Sequence, residues 1–387
     1  MIYRTNPRNK EQLSQLGFGC MRFNRDDREV ERQIAYAIEN GVNYFDTAYA
    51  YPNSEERLGR ALAAGGYRDK VSIATKMPTY LINKPGGFDQ MFYTQLKRLQ
   101  TDYIDYYLMH MLSNVGEWER VCNLGILDFI NEKKKSGQIR NLGFSYHGGL
   151  QEFKDLTDIY DWDFCMIQFN YLDENNQAGK SGLEYAASKG LPVMIMEPLR
   201  GGKLVNKLPK DAVKVWEHAS VKRSPAEWAL RWVWNHPAVV TVLSGMNSME
   251  MVEENIRIAS EAKANDLSSA DLALYEQVRN IILGKETVPC TGCNYCMPCP
   301  QGVDIPMCFT CYNDRKSGIE SGMSAEFFYI QRAYNHQASL CIECGKCEKH
   351  CPQKIAIREE LKKVKKELEG PIYRPARYIA KKIMKLS

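Results

Sequence analysis

Hydrophobic and polar positions between residues 16 and 260 follow two alternating periods. Short β-branched or apolar runs read as strands at Leu16–Met21, Tyr44–Ala48, Val71–Lys76, Ile104–His110, Ile139–Ser145, Phe164–Asn170, Pro192–Pro198 and Val239–Gly245. Between them, apolar residues recur three and four apart at Glu29–Asn40, Ser54–Ala64, Asp89–Leu99, Ile126–Lys135, Leu150–Ile159, Lys180–Ser188, Pro225–Trp234 and Ser248–Ala259, which predicts helices. Strands alternating with helices imply a parallel sheet under a helical cover. Eight such units fit an α/β (β/α)8 TIM barrel better than an open doubly wound sheet. The open sheet's glycine signature is also missing, because Gly17-Phe18-Gly19-Cys20-Met21-Arg22 lacks its third glycine.

One more amphipathic helix is predicted from Asp266 to Ile282, with Leu267, Leu272, Leu274, Val278 and Ile281 on its apolar face and Gly284 closing it. Beyond it the pattern changes to cysteine runs. Cys290, Cys293, Cys296 and Cys299-Pro300 form one, and Cys341, Cys344, Cys347 and Cys351-Pro352 the other. The second run has the spacing in which three thiolates close on one [4Fe–4S] cube while the fourth reaches the neighbouring cube. On that pattern Cys290, Cys293, Cys296 and Cys351 hold one cluster, and Cys341, Cys344, Cys347 and Cys299 the other. Two zinc ribbons or a disulfide scaffold are the competing readings. Zinc could use paired C-x2-C units but has no need of a Cys-Pro closing both runs. The first run is one residue short, and Cys308 and Cys311 lie just downstream. Either could replace Cys299, or both could be spare thiols on a helix after Pro306. The domain expectation is therefore a barrel over 1–284, a mostly helical ferredoxin-like iron–sulfur domain over 285–360 and a basic tail over 361–387.

Composition adds little to the fold and more to the setting. The chain has 387 residues and a net charge of +4, but Lys354 to Ser387 carry eleven Lys and Arg against four Glu. Such a tail could dock an acidic electron carrier, such as a ferredoxin or flavoprotein, or an anionic membrane surface, or simply form a solvated helical face. No nucleic-acid motif appears. Met1 is followed by a polar stretch rather than an apolar leader, and no apolar run approaches eighteen residues. Thirteen cysteines without a leader lead us to expect a reducing cytoplasmic protein with no membrane span.

In a barrel of this kind, chemistry gathers at the C-terminal ends of the strands. Asp46 ends the second strand, Tyr51 follows in its loop, Lys76 ends the third and His110 ends the fourth. Acid, phenol, amine and imidazole together could protonate a carbonyl oxygen whose carbon receives hydride. A phenol with an ordinary pKa near 10 needs a neighbouring cation for this work. Lys76, anchored by Asp46, could provide it, and His110 could hold the substrate oxygen.

Gly41-Val42-Asn43-Tyr44-Phe45-Asp46-Thr47-Ala48-Tyr49-Ala50-Tyr51, with Glu55, Glu56, Leu58 and Gly59, closely resembles the aldo/keto reductase family. The resemblance covers roughly residues 3 to 260, and with the cysteine runs it extends to a subgroup bearing a two-cluster ferredoxin module. It implies that Asp46, Tyr51, Lys76 and His110 are the catalytic tetrad and that the cofactor is NADP(H). Cofactor-binding positions it implies are Gly19, Cys20 and Met21 at the end of the first strand, Ser145, Gln168 for the carboxamide, and Pro198, Leu199, Arg200, Gly201, Gly202 and Leu204 over the pyrophosphate. Glu254 and Asn255 match the adenine contacts. There are departures. Tyr146 and His147 follow Ser145 where an Asn is usual, Met196 replaces a stacking aromatic ring, and Glu197 replaces a serine. Met251 and Gly245 stand where a cation would meet a 2′-phosphate, which leaves NAD open.

A nicotinamide transfers two electrons as hydride and a cubane accepts one. No flavin motif is present to split the pair. Three readings follow: a carbonyl reductase with relay clusters, a reductase with structural or sensing clusters, and an electron-transfer or sensing protein whose barrel is a nucleotide platform. The tetrad favours the enzyme, and no substrate loop, including Ser113–Gly125 with Trp118, selects a particular small-molecule carbonyl compound.

Overall fold

A computed structural model describes residues 1–377 apart from 113, 286, 291–295, 318–322, 334, 352, 372 and 374. Cys293, Ser113, Pro352 and the tail from 378 therefore lie outside the described residues. The chain divides into two compact units. The first holds Met1–Val205 with Arg223–Ser269, and the second holds Asn206–Lys222 with the residues from Ala270 onward.

The first unit opens with a hairpin of β1 (Tyr3–Thr5) and β2 (Gln12–Ser14), which the polar N-terminal stretch does not announce. Eight parallel strands follow: β3 (Leu16–Gly19), β4 (Tyr44–Asp46), β5 (Ser72–Met77), β6 (Ile104–Met109), β7 (Ile139–Tyr146), β8 (Phe164–Gln168), β9 (Val193–Met196) and β10 (Val239–Ser244). They pair in sequence order and β10 closes on β3, so the barrel is complete. Its strands are buried on both faces, hence the continuous apolar runs. Inside, Tyr44, Tyr106 and Phe164 pack edge to face at 5.2 and 5.0 Å. The hairpin segment plugs the N-terminal end through Leu13 and through Glu11, which accepts a 2.6 Å hydrogen bond from the Tyr106 hydroxyl.

Gly59 has a steric reason to be glycine. A Cβ there would lie 2.5 Å from the Arg98 carbonyl oxygen, so the helices Ser54–Gly65 and Gly87–Leu99 could not approach as closely. That approach supports the tetrad, because Glu55 reaches Thr75 and Gln95 behind Lys76, both at 2.7 Å.

The second unit is helical, with helices at Ser269–Lys285, Ile305–Lys316, Met323–Arg332 and Ile357–Leu368. The first begins three residues later than expected and turns a different face inward. Tyr275, Val278 and Ile282 are buried, while Leu272 is 41% exposed. Residues 361–368, assigned to the tail by charge, complete the last helix and bury Leu361, Val364 and Leu368 in the unit's core. No helix among the described residues is long and apolar enough to cross a membrane.

Candidate active site and cysteine centre

Three adjacent strands bring Asp46, Tyr51, Lys76 and His110 to one rim. Asp46 ends β4, Lys76 is the last residue but one of β5, His110 follows β6, and Tyr51 lies in the loop after β4. Lys76 is buried, with its Nζ donating to Asp46 Oδ1 at 2.6 Å and to the Thr47 carbonyl at 2.7 Å. The same ammonium lies 5.1 Å from the Tyr51 ring centre. Tyr51 meets the His110 ring edge-on at 6.2 Å, and Tyr80, 47% exposed, lies 6.0 Å from it on another side.

Burial favours the neutral amine at Lys76, but Asp46 and Tyr51 outweigh it and hold the lysine charged. Burial pushes the Tyr51 phenol up, and Lys76 opposes that push without cancelling it. Tyr51 therefore keeps its proton near neutrality. Burial, helped by Lys76 and His147, lowers His110 to about 3, so its imidazole is neutral across ordinary working pH.

That shift has a consequence for acid stability. The ordinary histidine value near 6.5 lies above the folded one, so the unfolded chain takes up its proton first as pH falls. The contribution of His110 is intact above pH 6.5 and is lost progressively toward pH 3. His236, lowered to about 4 mainly by burial, acts in the same sense. Urea midpoints should fall between about pH 6.5 and 4, and His110→Asn should flatten that fall in part. An unchanged slope in the variant would remove His110 from this account.

The neighbouring rim carries the expected cofactor positions. Ser145 Oγ accepts from the Met111 amide at 2.9 Å. Gln168 Nε2 donates to Asp173 at 2.8 Å, while Gln168 Oε1 is buried without a hydrogen-bond partner among the described residues. Asp46 Oδ2 and His110 Nδ1 are in the same condition. Unsatisfied buried polar atoms on three rim residues suggest a site shaped for a ligand. Asp173 was not singled out in the sequence, and it is a hub. Buried itself, it accepts from Gln168, Asn170 and Asn176 and pairs with Arg200 at 3.3 Å.

The loop after β9 runs through left-handed backbone at Glu197 (φ +55°), Arg200 (+48°), Gly201 (+67°) and Gly202 (+90°). Glu and Arg rarely adopt such angles, so the loop is strained at both. Pro198 and Leu204 are buried beneath it, and Leu199 accepts from the Gly202 and Leu204 amides. Arg22 crosses to this loop and donates to the Gly201 carbonyl at 2.9 Å. A Cβ at Gly201 would come within 3.1 Å of that guanidinium. In the turn Cys20–Arg22, the Cys20 thiol is buried toward the Phe18 carbonyl, and Met21 is 62% exposed beyond Gly19.

At the last loop, Glu254 accepts from Ser224 Oγ at 2.6 Å, and the buried Asn255 side chain donates to Ser244 Oγ at 3.0 Å. Met251 is 40% exposed. Trp118 corrects the substrate-loop expectation. Residues Val115–Asn123 form a helix, and Trp118 is buried 4.7 Å from Trp162 and 5.2 Å from Tyr160. It packs the wall rather than the mouth.

In the second unit, Cys299, Cys341, Cys344 and Cys347 line one cavity of about 320 Å³, together with Cys296. These first four are the set drawn from both runs for one cluster. Met297, Ile305, Ile342 and Leu361 supply apolar wall. Cys290 and Cys351 are partly buried against the same core. Among the described residues no cysteine forms a disulfide, and no three Cys, His, Asp or Glu side chains converge on a single-ion position. Cys308 and Cys311 sit on helix Ile305–Lys316 in the apolar core against which Cys299, Cys341 and Cys347 pack.

The family model of the aldo/keto reductases matches residues 15–276, two thirds of the chain and the whole barrel with its tetrad. The chain belongs to the aldo/keto reductase family. A 4Fe-4S dicluster domain model matches residues 289–356, so this is an aldo/keto reductase-type oxidoreductase with an iron–sulfur domain. Protein tas of Escherichia coli (strain K12) is 27% identical over 344 residues, covering 73% of this chain and 98% of that protein. The NADH-specific methylglyoxal reductase of the same organism is 25% identical over 320 residues, covering 69% and 94%. Among solved structures, the holo form of aldo-keto reductase AKR11C1 from Bacillus halodurans superposes with a TM-score of 0.60 at 26% identity, over 72% of this reductase and 96% of that chain.

Proposed function

We propose that the barrel catalyses reversible NAD(P)H-linked reduction of an aldehyde or ketone and that residues 285–360 bind two [4Fe–4S] clusters that relay electrons. The buried Lys76–Asp46 pair beside Tyr51 and His110 carries the reading. When bound, NAD(P)H supplies hydride to the carbonyl carbon, and the clusters supply one-electron steps. Tyr51 donates the proton to the carbonyl oxygen. Lys76 eases that loss by opposing burial at the phenol, and Asp46 holds Lys76 in place and charged. Neutral His110 donates a hydrogen bond that orients the carbonyl.

The residues present suit the nicotinamide cofactor. Gln168 Oε1 is an unused acceptor for the carboxamide amine, Ser145 stands on the adjacent strand, and Arg200 lies within, and Arg22 reaches, the loop 198–204 expected over the pyrophosphate. Asn255 donates to Ser244 and Glu254 accepts from Ser224, which holds both side chains in place at the expected adenine end. Asp173→Ala should release Gln168 and Arg200 together. The expected result is a KM for the cofactor raised about tenfold, near 1.4 kcal/mol, with kcat changed less. An unchanged KM would strike Asp173 from the site.

The spacing of the two cysteine runs, the dicluster domain match and the cavity lined by Cys299, Cys341, Cys344 and Cys347 support cubanes. Anaerobically prepared protein should contain about eight iron atoms per chain, as two cubes require. About four would leave one run with another role. In the same preparation, NADH should bind within about tenfold of NADPH, because no Lys or Arg stands at 245 or 251 to meet a 2′-phosphate.

A further inference from the structure

The cysteine cavity opens at an exposed apolar tip set among unpaired cations. Ile342, which lines it, is 63% exposed, and its neighbour Cys344 is exposed too. Lys346 and Arg358 line the same cavity. Between residues 341 and 366 there are eight Lys and Arg against four Glu. All four acids are spent locally: Glu343 and Glu359 on Lys362, Glu348 on Arg358, and Glu360 on Lys363. Lys346, Lys349, Lys354, Lys365 and Lys366 make no ion pair among the described residues. Lys365 lies two helical turns beyond Arg358, on the same side of the last helix.

A solvated basic helix would not need the bare isoleucine. A protein carrier would use it together with the cations, because an apolar centre inside a charged rim gives contact energy at the middle and steering at the edge. We infer that this face is the electron port of the protein and that its partner is a small acidic one-electron carrier protein seated over Ile342 and Cys344. The inference rests on the proposal that Cys299, Cys341, Cys344 and Cys347 hold a cubane. The step balances simply. A reduced carrier gives up one electron, the oxidised cluster gains it, and no covalent bond or proton need move.

A small acidic [2Fe–2S] ferredoxin serves as the probe. Reduced and freed of dithionite, it is mixed anaerobically with oxidised holoprotein, and cluster bleaching is followed by stopped flow. The second-order rate should fall steeply with salt. Lys346→Glu/Lys349→Glu should lower it at least about tenfold at low salt and flatten the salt dependence. Lys97→Glu/Lys263→Glu, on the barrel, makes the same change in net charge and should leave the rate nearly unaltered. Isothermal titration between the two oxidised proteins reads docking without electron flow. There the Lys346/Lys349 reversal and Ile342→Asp should each weaken binding, with iron content unchanged.

Equal losses from both charge reversals would reduce the effect to net charge and overturn the port. So would equal binding of a basic cytochrome c, or no binding by the unaltered protein. Failure of the cluster assignment would be seen separately, as the absence of cubane signals in the starting protein before any mixing.

Discussion

A Tyr51→Phe protein should reduce carbonyl substrates at least about 100-fold more slowly, the usual scale for losing a positioned general acid, while binding NAD(P)H undiminished. The substitution removes one oxygen and keeps the ring. The edge contact with His110 and the approach to the Lys76 ammonium can therefore persist. What disappears is the one phenol, among the described residues, that lies beside both His110 and Lys76 and whose proton Lys76 can help release. His110 does not replace it, because an imidazole with a pKa of about 3 has no second proton to give near neutrality. The check is a pair of measurements on one preparation: cofactor affinity by fluorescence titration and single-turnover oxidation of NAD(P)H with an aldehyde. Retention of the single-turnover rate would end the proposed role of Tyr51.

Lys76→Met should be the most damaging single change to the barrel, costing about 3–5 kcal/mol of stability as well as activity. Methionine matches the length of the lysine stem but leaves Asp46 buried with no cation, and Asp46 Oδ2 already lacks a partner. The Thr47 carbonyl loses its donor at the same stroke. Adding Asp46→Asn to Lys76→Met removes the stranded charge and should recover much of the stability without restoring catalysis. Urea unfolding monitored on the barrel tests the first claim, and the double variant's activity tests the second. A Lys76→Met protein as stable as the unaltered one would show that Asp46 is not ionised in the fold.

Local sequence carried a good deal of this. The strand runs are apolar because each barrel strand is covered on both faces, so period and length announced them. Asp46, Tyr51, Lys76 and His110 could be located because three stand at the ends of consecutive strands and Tyr51 lies in the loop after the first of these, and the end of a strand is a local property. The hairpin of Tyr3–Thr5 and Gln12–Ser14 is not legible in the sequence because three-residue strands have no period to read. Trp118 was placed in a loop because nothing nearby in sequence reveals Trp162, 44 positions on, against which it packs. The last helix was cut at 361 by its charge, although its buried leucines and valine continue to Leu368. Charge recorded the solvent side and missed the other.

Sequence by itself determined the barrel, the rim on which Asp46, Tyr51, Lys76 and His110 meet and the two cysteine runs, because period, strand ends and cysteine spacing are short-range. Only the tertiary structure decided which groups meet across the chain. It joined Arg22 to Gly201, 179 positions apart, and made Asp173 the tie between Gln168 and Arg200. It also brought Cys299 to the cavity of Cys341, Cys344 and Cys347, and left Cys308 and Cys311 in the core. Such pairings depend on where loops of different length return to the same place, and no local pattern of side chains encodes that return.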